Sequence, residues 1–202
     1  MRPAQDRRGL VKSAPKRRSL VKSAPKRRSL SKTAPKRRSL PPAIDIQVAS
    51  SLWQAQPQAE QTVCAAIAAA AALSTADGEV SILLTDDKAI RALNRDWRGI
   101  DQPTNVLSFP APAATPGAPP QMLGDIVMAY ETLAQECDQQ DRVFLHHLAH
   151  LTVHGFLHLI GYDHQTDAQA DAMEGLESKI MARMKLPNPY LARDLDRDLG
   201  NA

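Results

Sequence analysis

The sequence predicts a single α+β domain, with about four short strands packed against several helices, behind a basic N-terminal arm. Three observations predict it. Segments with the two-residue period of a strand alternate with segments of helical period between residues 41 and 190. A long apolar segment near the middle of this region carries most of the histidines, and residues 1–40 consist largely of a basic repeat. An α/β arrangement of the same elements is also compatible with the pattern.

The N-terminal arm repeats every ten residues from Arg7 onward, as RRGLVKSAPK, RRSLVKSAPK, RRSLSKTAPK and RRSL. Each copy has too few apolar residues to offset the entropy of ordering, so residues 1–40 are predicted to be disordered. They hold 15 of the 25 Lys and Arg but one of the 22 Asp and Glu, which gives a net charge of +14 against −11 for residues 41–202. Such an arm binds phosphate backbones by counterion release, and we expect it to tether RNA. Alternatives are that it folds back on the acidic domain, that it is an organelle-targeting segment, or that the repeats are an artefact of the assigned start.

The predicted elements follow in order along residues 41–190. Ile44 to Val48 alternates apolar and polar residues and predicts a strand, and the alanine-rich stretch from Glu60 to Leu73 predicts a helix. After these come a turn at Asp77-Gly78, a strand over 80–84, a helix over about 87–97, a strand ending at Pro110, a proline-rich loop over 111–120, a strand over 123–128, a helix over 131–138, a long histidine-bearing helix, and a last helix over 167–184. Residues 191–202 are predicted to be a loosely held tail.

The stretch from His150 to His164 contains four of the six histidines. His154 and His158 are four residues apart, so they lie on one face of a helix, about 6 Å apart along its axis. Gly161 predicts a turn that ends the helix and brings His164 back toward them. His150 is expected to be packed or hydrogen-bonded rather than ligating. Three neutral histidines are typical of a catalytic zinc ion with one position left for water, although histidines can also occur on a helix without any metal.

Two segments of the chain resemble signatures of the YbeY family of bacterial metal-dependent endoribonucleases. The first is His-Gly-Phe-Leu-His-Leu-Ile-Gly-Tyr-Asp-His at residues 154–164, with three and then five residues between its histidines. The second is the LNxxxR element at residues 93–98, followed by PTxVLSFP at residues 103–110. The first segment is not the HExxH of metalloproteases, because Gly155 stands where those enzymes have their glutamate.

The resemblance implies a zincin-like fold and a cytoplasmic, single-strand-specific endoribonuclease that acts on the ribosomal small subunit, in maturation of the 3′ end of 16S rRNA and in ribosome quality control. By the same resemblance His154, His158 and His164 hold one zinc ion, and Arg98 faces the metal cleft and binds the scissile phosphate. A solvated arginine at a helix end, without a role in the site, is the simpler alternative for Arg98.

The general base is not decided by the sequence. Asp125, in a GDI-like element, and Asp163, immediately before the third histidine, are equal candidates, and Asp125 is as compatible with a plain turn residue. The nucleophile is equally open between a zinc-activated water and the ribose 2′-hydroxyl.

Two other classes of function remain after these motifs. One is a non-catalytic RNA-binding or ribosome-binding protein with a structural zinc, and the other is a zinc peptidase, which the absent HExxH glutamate disfavours. Cys64 and Cys137 have neither a CxxC spacing nor a disulfide framework, so reduced thiols in a cytosolic protein are expected. No apolar stretch is long enough to predict a membrane span.

Overall fold

Four short strands form one mixed sheet in the computed structural model, which describes residues 41–74, 76–112 and 122–191. The strands are β1 (Ala43–Val48), β2 (Glu79–Thr85), β3 (Val106–Pro110) and β4 (Met122–Ala129). Their order in the sheet is β1-β2-β4-β3, with β1, β2 and β4 parallel and β3 antiparallel to β4. Among the described residues, the strand β3 therefore lies at an edge of the sheet.

Five α-helices and one 3-10 helix accompany the sheet within the described residues. They are the 3-10 helix Ser51–Ala55, α1 (Ala59–Ser74), α2 (Asp87–Arg98), α3 (Tyr130–Gln140), α4 (Phe144–Leu159) and α5 (Asp167–Arg183). Two of the α-helices begin with a side-chain cap. The Asp86 carboxylate accepts a hydrogen bond from the Ala89 N–H at 2.9 Å, and Thr166 forms a reciprocal capping box with Gln169.

The two faces of the sheet bury different sets of side chains, because successive residues of a strand point to opposite faces. Ile126 and Met128 of β4 belong to the larger core, which contains buried residues of α1, α4 and α5. Val127 and Ala129 belong to a smaller cluster with Ile90 of α2. The helix α4 and the helix α2 therefore cover opposite faces of the sheet.

The helix α4 lies close to the sheet at Gly155. A Cβ atom at this position would be 3.0 Å from the Ser108 Oγ atom and 3.1 Å from the Ile126 Cγ2 atom. Contacts this short are rare for real Cβ atoms, so a glycine allows the helix its close approach to β3 and β4. His154, which adjoins Gly155, is thereby held near the exposed edge of the sheet.

The fold confirms the prediction of one α+β domain with about four strands and several helices. The 3-10 helix was not predicted, and it buries Trp53, whose Nε1–H donates a hydrogen bond to the Thr85 carbonyl at 2.9 Å. In the described ranges, no helix has both the length and the apolar character needed to cross a membrane. The predicted disordered arm at 1–40, most of the predicted loop at 111–120, and the tail beyond Leu191 lie outside the described residues.

Candidate metal centre and catalytic site

The helix α4 ends in a turn that returns the chain toward its own last residues. The Gly161 N–H donates to the His158 carbonyl at 3.1 Å, and the Tyr162 N–H donates to the Leu157 carbonyl at 3.0 Å. This pair of bonds is a Schellman motif, which needs a left-handed residue, and Gly161 supplies it with φ +93°. The turn brings His164 back beside the helix, as the sequence predicts.

Three imidazoles meet at this turn. The ring centroids of His154 and His158 are 4.6 Å apart, and the His164 ring lies 5.4 Å from the first and 5.0 Å from the second. Each residue offers a ring nitrogen, and these nitrogens all lie within 4.8 Å of one another. The three histidines could therefore hold a single metal ion.

The hydrogen bonds of the ring nitrogens fix which nitrogen faces the centre. The Nδ1 atom of His158 is 3.0 Å from the Tyr162 carbonyl oxygen, and the Nδ1 atom of His154 is 2.8 Å from the Glu177 Oε1 atom. A carbonyl and an ionised carboxylate only accept, so each Nδ1 carries the proton and each Nε2 of the neutral ring has a bare lone pair. Burial, and then the neighbouring His154 and His164, lower the pKa of His158, which favours this neutral form.

The two Nε2 atoms of His154 and His158 are 3.1 Å apart. With both Nδ1 atoms protonated, two lone pairs face each other at this distance, and such an arrangement is stable when a cation lies between them. Neutral imidazole donors suit transition metals such as zinc. The residues present therefore fit the metal that the sequence predicts.

A buried carboxylate contacts His154, the first histidine of the cluster. Glu177 of α5 is fully buried, and its two oxygens contact His154 at 2.8 Å and His150 at 3.1 Å. The hydroxyl of Tyr190 donates to the same carboxylate. Burial opposes ionisation of Glu177, but the hydrogen bonds from His150, His154 and Tyr190 outweigh it and lower its pKa to about 2. His150 is thus hydrogen-bonded within the site rather than directed at its centre, as expected.

The histidines line a cavity of roughly 510 Å³ between α4, the end of α2 and the edge strand β3. Polar side chains from all three segments face it. Its lining consists of Arg98, Thr104, Asn105, Val106, Ser108, Pro110, His154, His158, Gly161, Tyr162, Asp163 and His164. A cavity of this size is in the range that binds small ligands and accommodates a nucleotide.

Arg98 is the last residue of α2 and lies in the wall of this cavity. The helix ends here because Gly99 takes the left-handed conformation, with φ +72°. Buried Asn94, the asparagine of the LNxxxR element, donates through Nδ2 to the Gln102 carbonyl at 2.8 Å and holds the loop that follows. The structure thus brings Arg98 to the histidines, although Arg98 lies 56 positions before His154 in the sequence.

The two candidate bases are placed differently. Asp163 lines the histidine cavity, and its Oδ1 atom accepts a hydrogen bond from the His164 N–H at 2.8 Å. Asp125 is exposed and lines a separate cavity with Trp97 and Val127, on the side of β4 that faces α2. The structure does not bring Asp125 to the histidines, because the alternation of β4 directs its side chain away from α4.

A model of the family described as "Endoribonuclease YbeY" matches residues 45–185. The chain belongs to the YbeY family. The match includes every described residue that lines the histidine cavity, and it leaves out the decapeptide repeats.

Curated relatives of the YbeY family are similar to this chain over most of its length. A protein named "Endoribonuclease YbeY" from Rhodopseudomonas palustris strain BisA53 is 52% identical over 169 residues, which cover 80% of this chain and 98% of the relative. Relatives of the same name from Bradyrhizobium sp. strain BTAi1 and Nitrobacter winogradskyi are 52% and 53% identical, and the matches cover 76% and 74% of this chain and 95% and 82% of those proteins.

Sequence reasoning missed Glu177 and Tyr190 in this YbeY-family chain. A signal for Glu177 was present, because it occupies the apolar face of α5, in helical register with buried Met173, Ile180 and Met181. An acidic residue at a core position needs buried partners, and unassigned histidines are suitable ones. No comparable signal marks Tyr190, whose role depends on how the chain folds back after α5.

Proposed function

We propose that this protein is a zinc-dependent endoribonuclease that cleaves single-stranded RNA, and specifically that it acts in maturation of the 3′ end of 16S rRNA and in ribosome quality control. The observation that carries the proposal is the convergence of three imidazoles and Arg98 in one cavity. The curated relatives are named endoribonucleases, and this chain covers nearly all of the first of them. Because bacterial ribosomes are assembled in the cytoplasm, the proposal also places the protein there.

The three histidines would hold the zinc ion through nitrogens directed at the cavity. A zinc ion bound there supplies a Lewis acid and a water molecule of lowered pKa. The Nδ1 partners of His154 and His158 suit them to this role, because they fix the orientation and the tautomer of each ring.

The remaining steps belong to the protein side chains. Arg98 binds the scissile phosphodiester with its planar guanidinium and stabilises the charge that grows on the phosphate in the transition state. Asp163 accepts the proton from the attacking oxygen, and its bond from the His164 N–H fixes the carboxylate beside the third histidine. The attacking oxygen is that of a water molecule or of the ribose 2′-hydroxyl. As it bonds to phosphorus, the bond from phosphorus to the departing ribose oxygen breaks, and that oxygen takes up a proton from solvent or from protonated Asp163. The 2′-hydroxyl route leaves a 2′,3′-cyclic phosphate.

The test is cleavage of a single-stranded RNA by the full-length protein, alongside a duplex of the same sequence, with zinc and with a chelator. We expect cleavage of the single strand that stops with chelator and is absent from His154→Ala. End-group analysis of the products distinguishes the two nucleophiles. Failure of folded, zinc-loaded protein to cut any RNA, or equal cutting by His154→Ala, would contradict the proposal.

A melting curve with chelator separates catalytic zinc from structural zinc. Most of the described core is formed by apolar side chains remote from the histidine turn, so removing the metal should leave the protein folded and inactive. If chelation unfolds the protein, the zinc has a structural role instead.

A further inference from the structure

We propose that Glu177 and Tyr190 are positioning residues for the metal ligand His154, so that the segment after α5 sets the affinity of the metal centre. The inference rests on the metal site of the proposed function. Neither residue touches the centre itself, and both act through the imidazole of His154.

Glu177 contacts the imidazole of His154 directly. Glu177 is completely inaccessible to solvent, and its Oε1 atom is 2.8 Å from the His154 Nδ1 atom. A buried carboxylate at this distance holds the proton on Nδ1, orients the ring, and makes the opposite nitrogen a stronger donor to a metal. His154 is therefore supported by a charged partner, whereas His158 is supported by a neutral carbonyl, that of Tyr162.

Two further side chains, those of His150 and Tyr190, hold the Glu177 carboxylate in place. Its Oε2 atom is 3.1 Å from the His150 Nε2 atom and also accepts the Tyr190 hydroxyl. His150 and Tyr190 contact each other as well, with 3.3 Å between Nε2 and the hydroxyl and an edge-to-face arrangement of the rings. Two donors therefore contact the Oε2 atom of Glu177, and of these two only His150 is on α4 with His154.

Hydrogen bonds attach the segment that carries Tyr190 to the rest of the domain. The Asn188 Oδ1 atom accepts hydrogen bonds from the Tyr190 N–H at 3.0 Å and from the Ser178 hydroxyl at 3.1 Å. Ser178 directly follows Glu177 in α5. The side chain of Arg142 reaches the Pro189 carbonyl at 3.5 Å. The Tyr190 hydroxyl that contacts Glu177 therefore belongs to a segment that is hydrogen-bonded to α5, the helix that carries Glu177.

The test measures zinc affinity of the full-length protein by competition with a chromophoric chelator. The Glu177→Gln substitution keeps the shape of the side chain and removes its charge, and Tyr190→Phe removes one hydroxyl. We expect zinc affinity to fall about 10-fold to 100-fold in Glu177→Gln and about 10-fold in Tyr190→Phe, as is typical when the partner of a ligating histidine is lost. The matched controls, Glu60→Gln on exposed α1 surface and Tyr130→Phe between Trp53 and Phe144, should bind zinc like the wild type.

A second readout separates positioning from mere loss of structure. With cobalt(II) in place of zinc, the visible absorption spectrum of Glu177→Gln should shift, because the ligand field of His154 changes. Wild-type zinc affinity and an unshifted cobalt spectrum in folded Glu177→Gln or Tyr190→Phe would overturn the inference. If Glu177→Gln does not fold, the zinc affinity of Tyr190→Phe decides alone. If the wild type binds no zinc, the metal site itself is refuted, and zinc binding without RNA cleavage refutes only the nuclease proposal.

Discussion

At the scale of single residues, the chemistry of this site depends on what lies behind each histidine. A neutral imidazole ligates through one nitrogen only if the other keeps the proton. Here a backbone carbonyl performs that task for His158 and a buried carboxylate performs it for His154. The two lone pairs are therefore directed at one point, 3.1 Å apart at the Nε2 atoms.

Removing the guanidinium of Arg98 should impair cleavage without impairing metal binding. Arg98→Ala is expected to lower kcat by about 100-fold, a typical cost of losing one group that stabilises transition-state charge, and to leave zinc affinity unchanged. Arg95→Ala is the matched control, because Arg95 lies on the same helix, is half exposed and pairs with Asp96. Single-turnover cleavage rates measure the effect. Equal rates for Arg98→Ala and Arg95→Ala would remove Arg98 from the mechanism.

Residue spacing predicts the histidine ligands but not every partner. His154 and His158 follow from helical geometry, and His164 follows from the glycine turn, since each depends only on neighbours close in sequence. The sequence could not decide between Asp125 and Asp163 as the general base. Strand alternation predicts which residues share a face of the sheet, but it does not predict which helix covers that face. Glu177 is 23 residues from the histidine it supports, and only the packing of α5 against α4 brings them together.

At the scale of elements, two glycines have opposite roles. Gly124 of β4 has φ +138°, and a Cβ atom there would lie 2.2 Å from the Phe109 carbonyl oxygen of β3. Gly175 lies within α5, and a Cβ atom there would meet no atom within 4 Å. The first glycine is required for the pairing of β3 with β4, whereas the second only weakens its helix.

The two alanine substitutions should therefore change stability in opposite directions. Gly124→Ala is expected to lower the free energy of unfolding by about 1 to 3 kcal/mol or more, through overpacking and an unfavourable backbone conformation. Gly175→Ala is expected to raise it by about 1 kcal/mol, the difference in helix propensity between the two residues. Urea denaturation measures both. Stabilisation by Gly124→Ala would show that β3 and β4 are not paired as described.

Element boundaries were predictable where the local chemistry is strong. Gly161, which was predicted to end a helix, follows the end of α4, and the structure adds caps at Asp86 and Thr166 and a left-handed Gly99 at other helix ends. The 3-10 helix around Trp53 has a weaker signal, the cap at Ser50, which accepts a hydrogen bond from the Leu52 N–H at 3.4 Å, and its indole packs against Tyr130 and Phe144. The parallel pairing of β1 with β2 likewise results from tertiary packing, with α1 connecting the two strands.

At the scale of the whole molecule, charge is divided unequally along the chain. Residues 1–40 have a net charge of +14 and residues 41–202 have −11. An acidic domain repels RNA, so a basic segment on the same chain would raise the local RNA concentration without reading its sequence. This role for the repeats remains a prediction, since they lie outside the described residues.

Deleting residues 1–40 should weaken RNA binding and flatten its dependence on salt. Fewer counterions are released when the basic residues are absent, so the slope of log affinity against log salt should become less negative. The measurement is RNA affinity across a salt series for the full-length and shortened proteins. Identical slopes would show that the repeats do not contact RNA.

In the proposed mechanism, the histidine turn holds one metal ion that RNA cleavage requires. The most direct measurement titrates zinc into metal-free protein while single-stranded RNA cleavage is followed, with bound zinc quantified in the same samples. We predict that cleavage rises with bound zinc and reaches its maximum at one ion per chain, and that His158→Ala neither retains the ion nor cuts RNA. Full cleavage by metal-free protein, or by His158→Ala, would contradict the account.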